Sequence, residues 1–218
     1  IARIFEMARA YDVDLDFHLD FDLDTAWRHL DEVARQTVAH GMQNRVAVGH
    51  VTKLSMLPPQ ALDETIALMR DAGIGLTVLP ATDLFMTGRD RTHAVPRGVA
   101  PAHRFHAAGL CCTVATNNVL NPFTPYGDCS LPRMANLFAN VAQIGDPDGL
   151  SGCFAMVSSE PFRLLGKESR IAKGAAADLV LLPCETGAAA IAEISRPVWG
   201  MKAGVMTFEA PQPRLLPP

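Results

Sequence analysis

The sequence lacks the features of several protein classes. None of its apolar runs approaches the roughly 20 residues that a membrane-spanning helix needs, and its start carries no signal-peptide pattern. The net charge is −4 and the basic residues form no run, which argues against a nucleic-acid-binding surface. No glycine-rich phosphate loop follows an apolar segment, which weakens a nucleotide-binding interpretation. We therefore expect a cytoplasmic protein that acts on a small molecule, without a nucleic acid or a membrane as partner.

The cysteines indicate no disulfide framework or zinc ribbon. The five cysteines are odd in number and include no CxxC pair. Such usage is typical of reduced thiols in a cytoplasmic protein.

What the sequence does contain is a strictly alternating acidic stretch over residues 12–24. Every even position there is Asp or His, and every odd position before Thr25 is Val, Leu or Phe. This alternation predicts a strand with one polar and one apolar face. Because strands usually run about 5–6 residues, we expect the strand to end near His18. A histidine flanked by carboxylates at a strand end is typical of a metal or catalytic site, although a solvated acidic edge strand has the same pattern.

Strand-like and helix-like segments alternate four times along residues 1–165. The first predicted strand ends near His18, and the other three cover residues 45–54, 74–80 and 110–116. A helix is expected after each strand. We expect Asp24 to cap the first of these helices, and residues 151–165 to form one further helix. With 49% hydrophobic residues to supply a core, this rhythm predicts an α/β fold with a parallel sheet covered by helices.

The candidate functional residues follow the predicted strands. His18 ends the first strand, His50 the second, and Asn117 and Asn118 the fourth. In a (β/α)8 barrel these strand ends form the catalytic face, whereas in an open doubly wound sheet they line a crevice. His93 lies in a loop at the same end, and we predict that it contacts the substrate.

The amino-acid composition changes after residue 165. Residues 166–177 are rich in Gly, Ala and charge, and short strands are predicted at 178–182, 197–201 and 204–208, before a proline-rich tail. We therefore divide the chain into a unit of residues 1–165 and a small β appendage of residues 166–218.

Three motifs resemble those of the amidohydrolase superfamily, and within it the cytosine deaminase-like branch. They are DFHLD around His18, VGHVTKL around His50 and TNNVLNPFTPYGD around Asn117. The closing segment, GAAADLVLLPCETGAAAIAEISRPVWGMKAGVM, is similar to that family's final β-sandwich strands. The resemblance implies a (β/α)8 TIM barrel, which needs about 250 residues. The chain would then hold strands 5–8 and a small β-sandwich segment, and Ile1 would enter the middle of a larger fold.

The resemblance also implies a reaction. In this family one divalent metal ion, Zn or Fe, activates water, and the water attacks a C–N bond of a small cyclic amidine or amide. By motif position His18 matches a metal ligand, Asn117 stands at the place of a metal-binding Asp, and His50 matches a catalytic histidine. Asn118 and Phe123 match positions that face the substrate.

Several positions depart from the family pattern. The sequence contains no His-x-His pair, and Phe21 occupies the place of a proton-shuttling Glu. An Asn carbonyl is a poor zinc ligand and cannot act as a base, so Asp20 or Asp22 would have to take the acid–base role. The alternative is a catalytically impaired ligand-binding pseudoenzyme, or a truncated fragment of such an enzyme. Because half a barrel exposes unpaired strand edges, we expect a homo-oligomer or association with the missing barrel half.

Overall fold

Four parallel strands form the central sheet of the computed structural model, which describes residues 1–211. They are β1 (Leu15–Leu19), β2 (Val46–His50), β3 (Ile74–Val78) and β4 (Cys112–Val114), arranged in the order β1-β2-β3-β4. The register places Leu19 beside His50. The carboxyl ends of the first two strands therefore lie side by side.

Helices follow each strand and pack around the sheet. They are α1 (Ala2–Tyr11), α2 (His29–Ala39), α3 (Pro59–Asp71), α4 (Pro80–Met86), α5 (Ala102–Ala107), α6 (Leu131–Ala142), α7 (Pro147–Ala155), α8 (Ser159–Leu164) and α9 (Gly187–Ala192), together with a 3-10 turn at Thr52–Met56. Among the helices of residues 1–211, we find none with the length and hydropathy needed to cross a membrane.

The two faces of β3 differ in side-chain size. On β3, the buried Ile74, Leu76 and Val78 alternate with Gly75 and Thr77. The large side chains join a core with residues of the surrounding helices, while the other face carries small side chains. A Cβ atom at Gly75 would lie 2.5 Å from Leu164 Cδ1, so α8 packs closely against this second face, and a larger residue at position 75 would displace the Leu164 side chain.

A small antiparallel sheet follows the parallel one, as predicted. Its strands are β5 (Leu179–Leu181), β6 (Trp199–Lys202) and β7 (Val205–Glu209), in the order β5-β6-β7. Between them, α9 packs against α7, and its Ile191 belongs to the main core. The division into residues 1–165 and 166–218 stays a prediction, and residues 212–218 of the expected tail lie outside the described range.

Some predicted element boundaries are wrong. The helix expected to be capped by Asp24 begins at His29, because the Asp24 carboxylate instead accepts the Ala26 N–H at 2.9 Å in a local turn. The single helix expected over residues 151–165 is two helices, α7 and α8, and Met156 between them accepts the Val114 N–H at 3.0 Å. After β3 the chain enters α4 directly.

Candidate functional site

Two histidines meet at the carboxyl edge of the parallel sheet. His18 Nδ1 lies 3.1 Å from His50 Nε2, and the two rings meet edge to face with centroids 4.9 Å apart. Gly49 makes room for this contact, because a Cβ atom there would lie 3.3 Å from His18 Cδ2. The parallel register of β1 and β2 therefore brings together the two histidines that were predicted at strand ends.

A buried carboxylate extends the pair. Asp83, in the first turn of α4, places Oδ1 2.6 Å from His50 Nδ1. The Asp83 side chain is fully buried and that of His50 nearly so. Burial raises the pKa of the Asp83 carboxyl, and the hydrogen bond from His50 opposes that rise. Sequence reasoning missed Asp83, although a carboxylate soon after a predicted strand was the signal available.

The hydrogen bonds assign a direction to this chain of three residues. An ionised Asp83 only accepts, so a neutral His50 donates from Nδ1 and accepts at Nε2. His18 then donates from Nδ1, which leaves a lone pair on its Nε2. The His18 side chain is 52% exposed. A chain of hydrogen bonds thus runs from a buried carboxylate to a basic nitrogen that faces solvent.

The backbone at the strand ends adopts unusual conformations. Positive φ angles occur at Asp20 (51°), His50 (68°), Val51 (47°) and Asn117 (57°), which follow or end β1, β2 and β4. Residues other than glycine reach this region at an energetic cost, and such residues cluster at functional sites. Three of the four strands of the parallel sheet are therefore followed or ended by residues with a positive φ angle.

Phe21 covers the histidine pair. Its ring centroid lies 4.5 Å from that of His50, in an edge-to-face contact. This aromatic ring shields His50 from water and can carry no proton. The place of the proton-shuttling Glu that the resemblance implies is therefore occupied by an apolar ring.

Asp20 is engaged by the backbone of α2. Its buried carboxylate accepts the His29 N–H at 2.9 Å and the Leu30 N–H at 3.0 Å, and so it caps the helix from outside. Asp22 lies 3.2 Å from the Lys53 ammonium. These contacts describe structural partners, and the acid–base role of Asp20 and Asp22 stays a prediction.

α4 also connects Asn117 to the site. The Asn117 Nδ2 atom lies 3.4 Å from the hydroxyl of Thr82, the residue before Asp83. The first turn of α4 therefore binds His50 through Asp83 and contacts Asn117 through Thr82.

The predicted substrate-contact residues lie further out. Asn118 accepts the Asn121 side-chain amide at 2.7 Å and lines a cavity of about 540 Å³ with Phe85, Tyr126 and Leu137. Phe123 and His93 are exposed loop residues. The structure thus brings His18, His50 and Asn117 to one edge, and the substrate roles of Asn118, Phe123 and His93 stay predictions.

The described residues do not supply a complete metal site. No group of three His, Cys, Asp or Glu side chains suited to a metal forms within residues 1–211, whereas a catalytic zinc takes three protein ligands. His18 Nε2 offers one donor, and the Asn117 carbonyl is a weak one. This donor set does not fit a resident metal on its own.

Comparison with known proteins identifies one family and two relatives that this chain resembles. A family model described as "Amidohydrolase family" matches residues 1–207. The chain is 29% identical to a pterin deaminase of Rhizobium rhizogenes and 28% identical to an N-isopropylammelide isopropyl amidohydrolase of Pseudomonas sp. Each match covers 182 residues, which is 82% of this chain and 41% of the relative.

A solved structure shares the fold. The 5-methylcytosine deaminase from Klebsiella pneumoniae, liganded with phosphonocytosine, superposes with a TM-score of 0.91 at 21% identity, over 98% of this chain and 52% of that one. The predicted fold class is confirmed as a partial barrel with a small antiparallel sheet. The chain spans about half the length of the relatives it matches.

Proposed function

The chain belongs to the amidohydrolase family, and from this premise we propose that it hydrolyses a C–N bond, other than a peptide bond, in a small nitrogen heterocycle. The observation that supports this most is the hydrogen-bonded chain Asp83–His50–His18 at the carboxyl edge of a parallel sheet, where barrel enzymes place their catalytic groups. The family resemblance predicted from the motifs around His18, His50 and Asn117 is confirmed.

The similar proteins suggest the chemical class of the substrate. Pterin, N-isopropylammelide and 5-methylcytosine are all nitrogen heterocycles with an exocyclic amino or alkylamino group. We therefore propose hydrolytic deamination of a cyclic amidine of this kind, with Asn118, Phe123 and His93 as the residues that contact the ring.

The histidine chain supplies the acid–base chemistry of this proposal. Asp83 holds His50 in one tautomer and orientation, and His50 in turn orients His18. His18 Nε2 takes a proton from the attacking water and, as the imidazolium, returns that proton to the departing amine nitrogen. Phe21 can neither accept nor donate a proton, so His18 carries the proton in this proposal.

Metal dependence is a separate part of the proposal. Members of the superfamily generally use a divalent metal ion, and His18 Nε2 is the donor that this chain could contribute. A metal bound there would occupy the lone pair of Nε2 and would replace His18 as the group that activates the water. The remaining donors would have to come from outside residues 1–211. Activity that depends on added zinc or iron would support this part, and activity of metal-free protein would contradict it.

The reaction is tested by ammonia release from purified protein, with and without added zinc or iron. Cytosine, 5-methylcytosine, isocytosine, creatinine, pterin and aminotriazines form the substrate panel, and titration calorimetry measures binding of each compound. We expect ammonia from at least one heterocycle. Binding without ammonia release would contradict the proposal and favour the pseudoenzyme, and neither binding nor release would contradict both.

A further inference from the structure

A buried pair of hydroxyl groups fastens the loop after β4 to α4. Thr82 Oγ1 and Thr124 Oγ1 lie 2.6 Å apart, and the two residues are only 3% and 1% exposed. Both hydroxyls belong to this chain, so the contact needs no group from outside residues 1–211. We call residues 117–124 the β4 loop.

Asn121 gives the β4 loop a defined shape. Its side-chain carbonyl accepts the N–H groups of Phe123 and Thr124, at 3.0 and 3.1 Å, and its amide donates to Asn118 Oδ1 at 2.7 Å. A backbone bridge joins Asn121 to Thr124 in both directions, and Pro122 between them restricts φ. Asn118 and Phe123 therefore have set places within the loop.

Thr124 is the anchor of the β4 loop. It is the one buried residue among residues 117–129, and its bond to Thr82 has the short length typical of two hydroxyl groups. Asn117 Nδ2 reaches the same Thr82 hydroxyl only at 3.4 Å, which is a weak contact. The position of the loop relative to α4 therefore depends mainly on Thr124.

The next residue of α4 binds the histidine chain. Asp83 Oδ1 lies 2.6 Å from His50 Nδ1, and Asp83 follows Thr82 directly in the first turn of α4. One turn of helix thus holds the β4 loop through Thr82 and His50 through Asp83. The loop and the Asp83–His50–His18 chain are placed relative to each other by two neighbouring side chains.

We propose that Thr124 is a positioning residue whose hydroxyl, through Thr82, holds the β4 loop in place and thereby sets the affinity of the site for its heterocycle. The proposal rests on the proposed function, in which Asn118 and Phe123 contact the ring. Thr124 itself touches no reacting atom. Preorganised contacts bind a ligand more tightly because less ordering is needed when the ligand arrives.

The substitution Thr124→Val tests this role, because it nearly keeps the size of the side chain and removes the hydroxyl. Thr82 is then left buried without this partner. We expect KM, and the Kd measured by titration calorimetry with pterin, 5-methylcytosine and the rest of the substrate panel, to rise about tenfold. The histidine chain keeps its own contacts, so kcat should change less than about twofold.

Two further variants separate positioning from general stability. Thr124→Ser keeps a hydroxyl and should restore the wild-type Kd. Thr37→Val is the matched control, since Thr37 is fully buried and its hydroxyl donates to Val33 O at 2.8 Å within α2. It should lower stability and leave Kd unchanged. A Thr124→Ser variant as weak as Thr124→Val, or a Thr37→Val variant equally weak, would overturn the proposal.

A double-mutant cycle tests whether Thr124 acts through Thr82. If the two hydroxyls act as a pair, Thr82→Val combined with Thr124→Val should raise Kd no more than the larger single effect. Effects that multiply would overturn the proposal.

Amide hydrogen exchange of Phe123, followed by NMR, tests the anchor without any ligand. We expect this N–H to exchange about tenfold faster in Thr124→Val than in the wild type, because the loop opens more often. Unchanged exchange would overturn the proposal, and so would faster exchange with an unchanged Kd. If no compound of the panel binds or reacts, the proposed function fails, and the exchange rate still decides whether Thr124 anchors the loop.

Discussion

At the scale of single residues, Asp83 determines the tautomer and orientation of His50. It is fully buried, lies 2.6 Å from His50, and carries the negative charge nearest to the histidine pair. A carboxylate in this position fixes the tautomer and orientation of the ring it binds. His50 is thereby set to pass protons to and from His18.

The substitution Asp83→Asn tests this role. The amide is almost isosteric, but its NH2 group can hold His50 in the wrong tautomer, so we expect kcat/KM for ammonia release to fall about 100-fold or more. Asp63→Asn is the matched control, since Asp63 forms an exposed ion pair with Arg104. Equal rates for the wild type and Asp83→Asn would contradict the role of Asp83.

The raised pKa of Asp83 predicts a pH dependence of stability. Its folded-state pKa lies above the ordinary value of 3.8, so the folded protein binds this proton more tightly than the unfolded chain. The stability contributed by the protonated carboxyl is present at low pH and is lost as pH rises through the folded pKa.

Urea unfolding checks this sign. The free energy of unfolding of the wild type, relative to Asp83→Asn, should decrease as the pH rises above the ordinary carboxyl pKa of 3.8, because the amide does not titrate. An increase with pH would mean that the His50 hydrogen bond outweighs burial.

At the scale of elements, the junction between β1 and α2 depends on side chains that act across the sequence. Asp20 caps the N-terminus of α2 from nine and ten residues away. Lys53, in the turn after β2, donates to Trp27 O at 2.7 Å and lies 3.2 Å from Asp22. These contacts hold the loop that carries Phe21 over His50.

The substitution Asp20→Ala should therefore act on stability. Two backbone N–H groups lose their acceptor, and we expect the free energy of unfolding to fall by about 2 kcal/mol. Asp24→Ala, which removes only an exposed turn contact, should cost less than about 0.5 kcal/mol. Wild-type stability combined with lost activity would instead favour the predicted acid–base role of Asp20.

At the scale of the whole molecule, the sequence predicts features that repeat locally. Alternation over residues 12–24 predicts β1, and the segments around His18 and His50 predict that both histidines lie at strand ends. The order of strands and helices predicts the parallel sheet. Each of these follows from a pattern that is visible within a few neighbouring residues.

Features that depend on distant contacts were not predictable in this way. Asp83 belongs to the site only because α4 turns back toward β2 after β3, and its sequence context resembles a loop. Asp20 caps a helix that begins nine residues later, so an alternating strand pattern cannot indicate that role. The break between α7 and α8 depends on the contact of Met156 with β4. Helical periodicity within residues 151–165 cannot indicate such a distant contact.

The central claim is that the Asp83–His50–His18 chain carries out C–N hydrolysis. The most direct test compares ammonia release by the wild type and by His50→Gln, on whichever heterocycle the panel identifies, under the metal conditions that support turnover. We predict that His50→Gln loses about 100-fold or more in kcat/KM while it still binds the compound in calorimetry. Equal kcat/KM values for the two proteins would contradict the claim.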